Sequence, residues 1–220
     1  RCARVTGVQT CALPISGWES FSLDATILQH KGKLYYIWAQ EDRNVNYESH
    51  SNIYIAEMEN PWTLRTKPVM LTQPLLDWEI KIFWVNEGPA ILKKNGKIFL
   101  TYSASATDEN YCMGMLVVNE NDDLLDPKSW KKLEKPVFKT SYKNKQYGPG
   151  HNSFTVSEDG MKDLLVYHAR NYTDIEGDPL YDPNRHTRVQ VIEWDKDGFP
   201  IFGEPVMDTR NVDFDSLRKK

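Results

Sequence analysis

Asn86-Glu87-Gly88-Pro89-Ala90-Ile91-Leu92, a turn at Asn95-Gly96-Lys97 and a return through Ile98-Phe99-Leu100-Thr101-Tyr102 decide how this chain of 220 residues folds. Alternation with a period of two on both sides of an Asn-Gly turn describes a β-hairpin. The same unit stands upstream as Leu23-Asp24-Ala25-Thr26-Ile27-Leu28, Lys31-Gly32-Lys33 and Leu34-Tyr35-Tyr36-Ile37-Trp38. It recurs downstream as Gly150-His151-Asn152-Ser153-Phe154-Thr155-Val156, Glu158-Asp159-Gly160 and Leu164-Leu165-Val166-Tyr167-His168. Later strands follow in each unit, at Asn52-Ile53-Tyr54-Ile55-Ala56, Cys112-Met113-Gly114-Met115-Leu116-Val117-Val118 and Arg188-Val189-Gln190-Val191-Ile192-Glu193-Trp194. A repeat of about 64 residues built from some four strands is a propeller blade. Aligned on these motifs, Asp24, Glu87 and His151 occupy one position of the unit. Equivalent residues of successive blades meet around a common axis, so two carboxylates and an imidazole should share one pocket.

The ends of the chain read differently. Val5 to Ile15 reproduce the translation of a common sequencing adapter, and the stretch lacks the apolar core of a secretory signal. Residues 1–16 are therefore expected to be an adapter artefact, with a partial β-propeller domain over 17–220. The fold class expected is all-β, a fragment of about three blades, because propellers close with about four to eight.

Bulk properties narrow the function classes. The formal charge of −4 becomes −6 once Arg1 and Arg4 are set aside, since residues 1–16 contain no acid. Such a surface argues against nucleic-acid or anionic-membrane partners. No apolar run approaches the ~18 residues of a spanning helix. With Cys2 and Cys11 in the suspect segment, only Cys112 remains, which excludes a disulfide framework and a CxxC metal site. One cysteine leaves the compartment open; secretion or the periplasm is the favoured expectation. Seven Trp and eleven Tyr are many for this length, and Trp78, Trp84, Tyr102 and Tyr147 flank the special positions. Aromatic faces stack on sugar C–H groups, although blade cores use them too.

Two carboxylates across an axial pocket in an aromatic setting suit glycosyl transfer to water. Glu87, beside Phe83 and Trp84, fits a general acid, because apolar neighbours favour its protonated form. Asp24 fits either a general base or a second carboxylate that keeps Glu87 protonated and orients the sugar. His151 alone is too sparse a signal for a metal cage. Arg185 and Arg188 lie near the strand entry of the last unit, where a guanidinium can bind sugar hydroxyls or pair with Asp24. A surface ion pair is the more ordinary reading for Arg185. Asp195-Lys196-Asp197-Gly198 reads as a hairpin turn.

Ser22-Leu23-Asp24-Ala25-Thr26, Val85-Asn86-Glu87-Gly88-Pro89-Ala90 and Tyr147-Gly148-Pro149-Gly150-His151-Asn152-Ser153-Phe154, in this order and spacing, resemble glycoside hydrolase family 43. The similarity is to its exo-acting α-L-arabinofuranosidase branch and covers residues 18–207. It implies a five-bladed propeller and an inverting enzyme that releases terminal α-L-arabinofuranosyl units from arabinan or arabino-oligosaccharides. By the same resemblance Glu87 is the general acid and Asp24 the pKa-modulating carboxylate. Substrate-binding roles fall to Arg188, His151, Trp84, Asn86 and Tyr147. The chemistry needs no cofactor; the axial His151 implies a structural calcium ion beside it. The family's base, an Asp upstream of the modulator, has no match, since Glu19 is the only upstream acid. The fragment is accordingly expected to be inactive. A β-xylosidase of the same family and a non-catalytic sugar-binding propeller are the alternatives.

Overall fold

The structure, a computed structural model, describes residues 20–42 and 50–208. The segment read as adapter-derived and Glu19 lie outside these residues. Fourteen strands among them run in chain order: β1 (Ser22–His30), β2 (Lys33–Glu41), β3 (His50–Asn60), β4 (Thr63–Leu64), β5 (Val69–Thr72), β6 (Trp84–Lys94), β7 (Lys97–Ala104), β8 (Cys112–Asn119), β9 (Lys131–Lys132), β10 (Tyr147–Val156), β11 (Asp163–Arg170), β12 (His186–Val191), β13 (Glu193–Trp194) and β14 (Pro200–Ile201). The three hairpins read from the sequence are β1–β2, β6–β7 and β10–β11, all antiparallel. Each hairpin takes a third strand to make a blade: β3, β8 and β12 respectively. The first two blades also gain a short outer strand, β5 and β9. A brief parallel pairing, His50 with Trp84 and Ser51 with Val85, joins the first two blades.

One expected strand is divided. The run from Arg188 to Trp194 breaks at Ile192, whose amide donates to Asp163 O at 2.9 Å. Ile192 turns into the core, and β13 pairs with β14 instead of continuing β12. The Asp195–Gly198 turn closes that hairpin as expected, with Gly198 N donating to Asp195 O.

The blades are held together by their faces. Along β7, Ile98, Leu100, Tyr102 and Ala104 pack towards the first blade, together with Leu28, Ile37 and Ile53. Phe99 points the other way, into a cluster with Met113, Phe138, Leu165 and Tyr167 from the second and third blades. A strand buried on both faces needs a nearly continuous apolar run, which explains Ile98-Phe99-Leu100. The innermost strands β1, β6 and β10 then lie side by side, and these carry the candidate residues.

Candidate active site

Each innermost strand carries a bulge at the same place. Pairing jumps from Leu23–Ala39 to Thr26–Ile37, from Glu87–Ser103 to Ala90–Thr101, and from Gly150–His168 to Ser153–Val166. The first bulged residues are Asp24, Gly88 and His151, all in the left-handed region with φ of 52°, 56° and 48°. Asp and His are among the non-glycine residues that tolerate this conformation best. Structural equivalence therefore corrects the motif alignment by one residue: Gly88, not Glu87, matches Asp24 and His151. Glu87 is in register with Leu23 and Gly150.

The three polar side chains nonetheless converge. One ligand atom each from Asp24, Glu87 and His151 lie within 4.8 Å of one another. Asp24 Oδ2 accepts from the amide of Gly88 at 3.0 Å, and its Oδ1 stands 3.6 Å from His151 Nε2. His151 is held by its own amide, which donates to Ser103 Oγ at 2.7 Å. Glu87 Oε1 accepts from the hydroxyl of Tyr111 at 2.5 Å. Burial pushes the Glu87 carboxyl above its ordinary range, and the Asp24 charge adds to this; the Tyr111 hydrogen bond, His151 and Arg185 act the other way. His168, its ring stacked on those of Tyr111 and His151, is pushed down to about 3, first by burial and then by the nearby arginines.

Two cavities meet these residues. One, of about 220 Å³, is walled by the three bulges, including Asp24, Pro89, His151 and Asn152. The other, of about 410 Å³, has a mostly apolar wall with Phe21, Leu23, Phe83 and Val85 beside Glu87. Asp178 and Leu180 reach it from the loop before β12. Phe83, Val85 and Glu87 share one side of their strand by the period of two, and this decides the fate of their neighbours. Asn86, expected to bind substrate, is fully buried on the opposite side, where its Nδ2 donates to Glu79 Oε1 and its Oδ1 accepts from Thr72. Trp84 also lies off the cavity, its ring tilted against His50 with centroids 6.4 Å apart.

Two further residues expected at the site lie apart from both cavities. Tyr147 precedes a second pairing irregularity, and its ring meets the exposed Tyr142 edge-on, away from both cavities. Arg188 sits on the third strand of its blade, where it caps Ala169 O and pairs with Asp208 at 3.0 Å rather than with Asp24. Arg185 donates to Leu180 O at 3.1 Å, and its charge also acts on Glu87. Sequence reasoning missed Tyr111 altogether. It follows a loop after β7 and belongs to no motif; its one trace is the Gly148-Pro149-Gly150 run, since a Cβ on Gly150 would stand 2.5 Å from the Tyr111 ring.

The arrangement is a partly buried acid beside a second carboxylate. An inverting acid–base pair stands about 6.5–9.5 Å apart to admit water, so Asp24 is too close to Glu87 to be the base. A modulating and orienting role fits it.

The profile of glycosyl hydrolases family 43 matches residues 4–200. An extracellular exo-α-(1→5)-L-arabinofuranosidase of Streptomyces avermitilis is 56% identical over 197 residues, 90% of this chain and 40% of that protein. α-L-Arabinofuranosidase 43 of Humicola insolens is 53% identical over 193 residues, again covering 40% of its length. The crystal structure of an α-L-arabinofuranosidase from Lactobacillus brevis superposes with a TM-score of 0.86 at 65% identity, over 89% of this chain and 60% of that one. The chain thus spans 40% of the length of the two curated relatives and 60% of the crystallised one.

Proposed function

The chain belongs to glycosyl hydrolases family 43, and from that membership we propose that its axial pocket is the proton-donating side of an exo-acting α-L-arabinofuranosidase site. The observation that carries the reading is Glu87, held by Tyr111 in an apolar wall and set within 4.8 Å of Asp24 and His151. The names of relatives more than half identical to this chain support arabinose-containing oligo- or polysaccharides as substrate. The word "extracellular" in one of them supports secretion or the periplasm as the compartment.

In this reading Glu87 gives its proton to the leaving oxygen as the glycosidic C–O bond breaks. Asp24, anchored by the Gly88 amide, orients the sugar and raises the cost of ionising Glu87. Water attacks the anomeric carbon from the opposite face, activated by a carboxylate other than Asp24, which stands too close to Glu87 for that role. A structural calcium ion fits only beside His151 and through water. Calcium takes about six to eight oxygen ligands, and the residues here offer one imidazole and two carboxylates, one of them favouring its protonated form. No step passes through it.

The test is arabinose release from α-1,5-linked arabino-oligosaccharides, followed by NMR of the first product anomer. It is run on this chain and on one extended upstream by its own gene. The reading predicts release by the extended chain with inversion. Retention would make Asp24 a nucleophile, and activity on β-xylosides alone would move the reading to a xylosidase.

A further inference from the structure

We propose that Tyr111 is a positioning residue that fixes which oxygen of Glu87 carries the transferable proton. The inference rests on the reading of Glu87 as the acid. A protonated carboxyl has one O–H oxygen and one carbonyl oxygen, and only the first can deliver a proton. The Tyr111 hydroxyl donates to Oε1 at 2.5 Å, and among the described residues no hydrogen bond reaches Oε2. Oε1 is thereby held as the carbonyl oxygen, and the proton is assigned to Oε2. The hydroxyl has one proton to give: His151 Nδ1 stands at 3.5 Å, too far to compete, and Ser103 bonds the phenol oxygen as a donor, which leaves that proton to Glu87.

The surroundings leave Tyr111 no freedom. It is fully buried, and its ring stacks on His168 with centroids 5.5 Å apart and planes 10° from parallel. Its amide donates to Asp108 O at 3.2 Å. Gly150 leaves the space that its ring fills. When the glycosidic bond breaks, the Oε2 proton leaves with the departing oxygen and Glu87 becomes a carboxylate. The hydrogen bond to Oε1 then faces a full charge and strengthens, so Tyr111 favours the transition state over the bound substrate.

The experiment is Tyr111→Phe in the chain extended upstream. Catalytic efficiency on arabino-oligosaccharides should fall about 10- to 100-fold through kcat with KM unchanged. Aryl arabinofuranosides with good leaving groups, which need no proton, should lose little. In a Glu87→Gln background the further substitution should cost nothing. Equal losses on both substrates, or an undiminished loss without Glu87, would mark Tyr111 as merely structural and overturn the inference. An extended wild-type chain inactive on every arabinoside would overturn the function reading and the inference with it. A measurement independent of whether Tyr111→Phe folds uses the chain itself labelled at tyrosine Cζ. One of its eleven tyrosine resonances should move on Glu87→Gln; none moving would contradict the bond.

Discussion

At the scale of single residues, Glu87 is a compromise between catalysis and stability. Its folded-state pKa is raised, chiefly by burial. The folded chain therefore favours protonated Glu87, a contribution present at pH below the unfolded value and lost as pH rises through the folded one. Glu87→Gln should raise the melting temperature at neutral and alkaline pH, and the gain should shrink below pH ~4.3, the ordinary glutamate value. A melting temperature equally changed at all pH values would contradict the cause given for the shift. Asp24, Glu87 and His151 were legible in the sequence because each sits in a repeated motif. Tyr111 was not, because a loop after β7 delivers it across space and nothing local marks its partner. Asn86 faces Glu79 and Thr72 rather than the cavity because adjacency in sequence places a strand residue on the opposite face.

Among elements, the bulges do the aiming. A left-handed residue at the same place in β1, β6 and β10 turns each inner strand so that side chains converge on the axis. Gly88→Ala would place an L-residue at φ 56° with its Cβ 3.3 Å from His151 Nδ1. It should cost about 1–2 kcal/mol from conformation alone and displace His151. Gly148→Ala should cost more, since its Cβ would stand 2.2 Å from the backbone oxygen of Asp108. Chemical denaturation of both variants checks the order; equal costs would count against this account of the turns. Hairpins and blade boundaries were readable from period and turns, whereas a bulge is a pairing fact that involves the opposite strand. That is why the motif alignment slipped by one residue at Glu87.

For the whole molecule, stability lies between blades. Phe138 is 1% exposed and meets Tyr167 edge-on, with ring centroids 4.8 Å apart, in the cluster between the second and third blades. Phe138→Ala should cost about 3–5 kcal/mol, read from the denaturation midpoint; a loss under about 1 kcal/mol would place the third blade's stability elsewhere. The same stacking of blades brings β1, β6 and β10 together and so builds the pocket. The central claim is that this pocket's acid is Glu87. Its most direct test compares Glu87→Gln with wild type, in the chain extended upstream, on α-1,5-linked arabino-oligosaccharide and on an activated aryl arabinofuranoside. The account predicts a loss of at least about 100-fold on the oligosaccharide and a small one on the aryl substrate. Equal, small losses on both would contradict it.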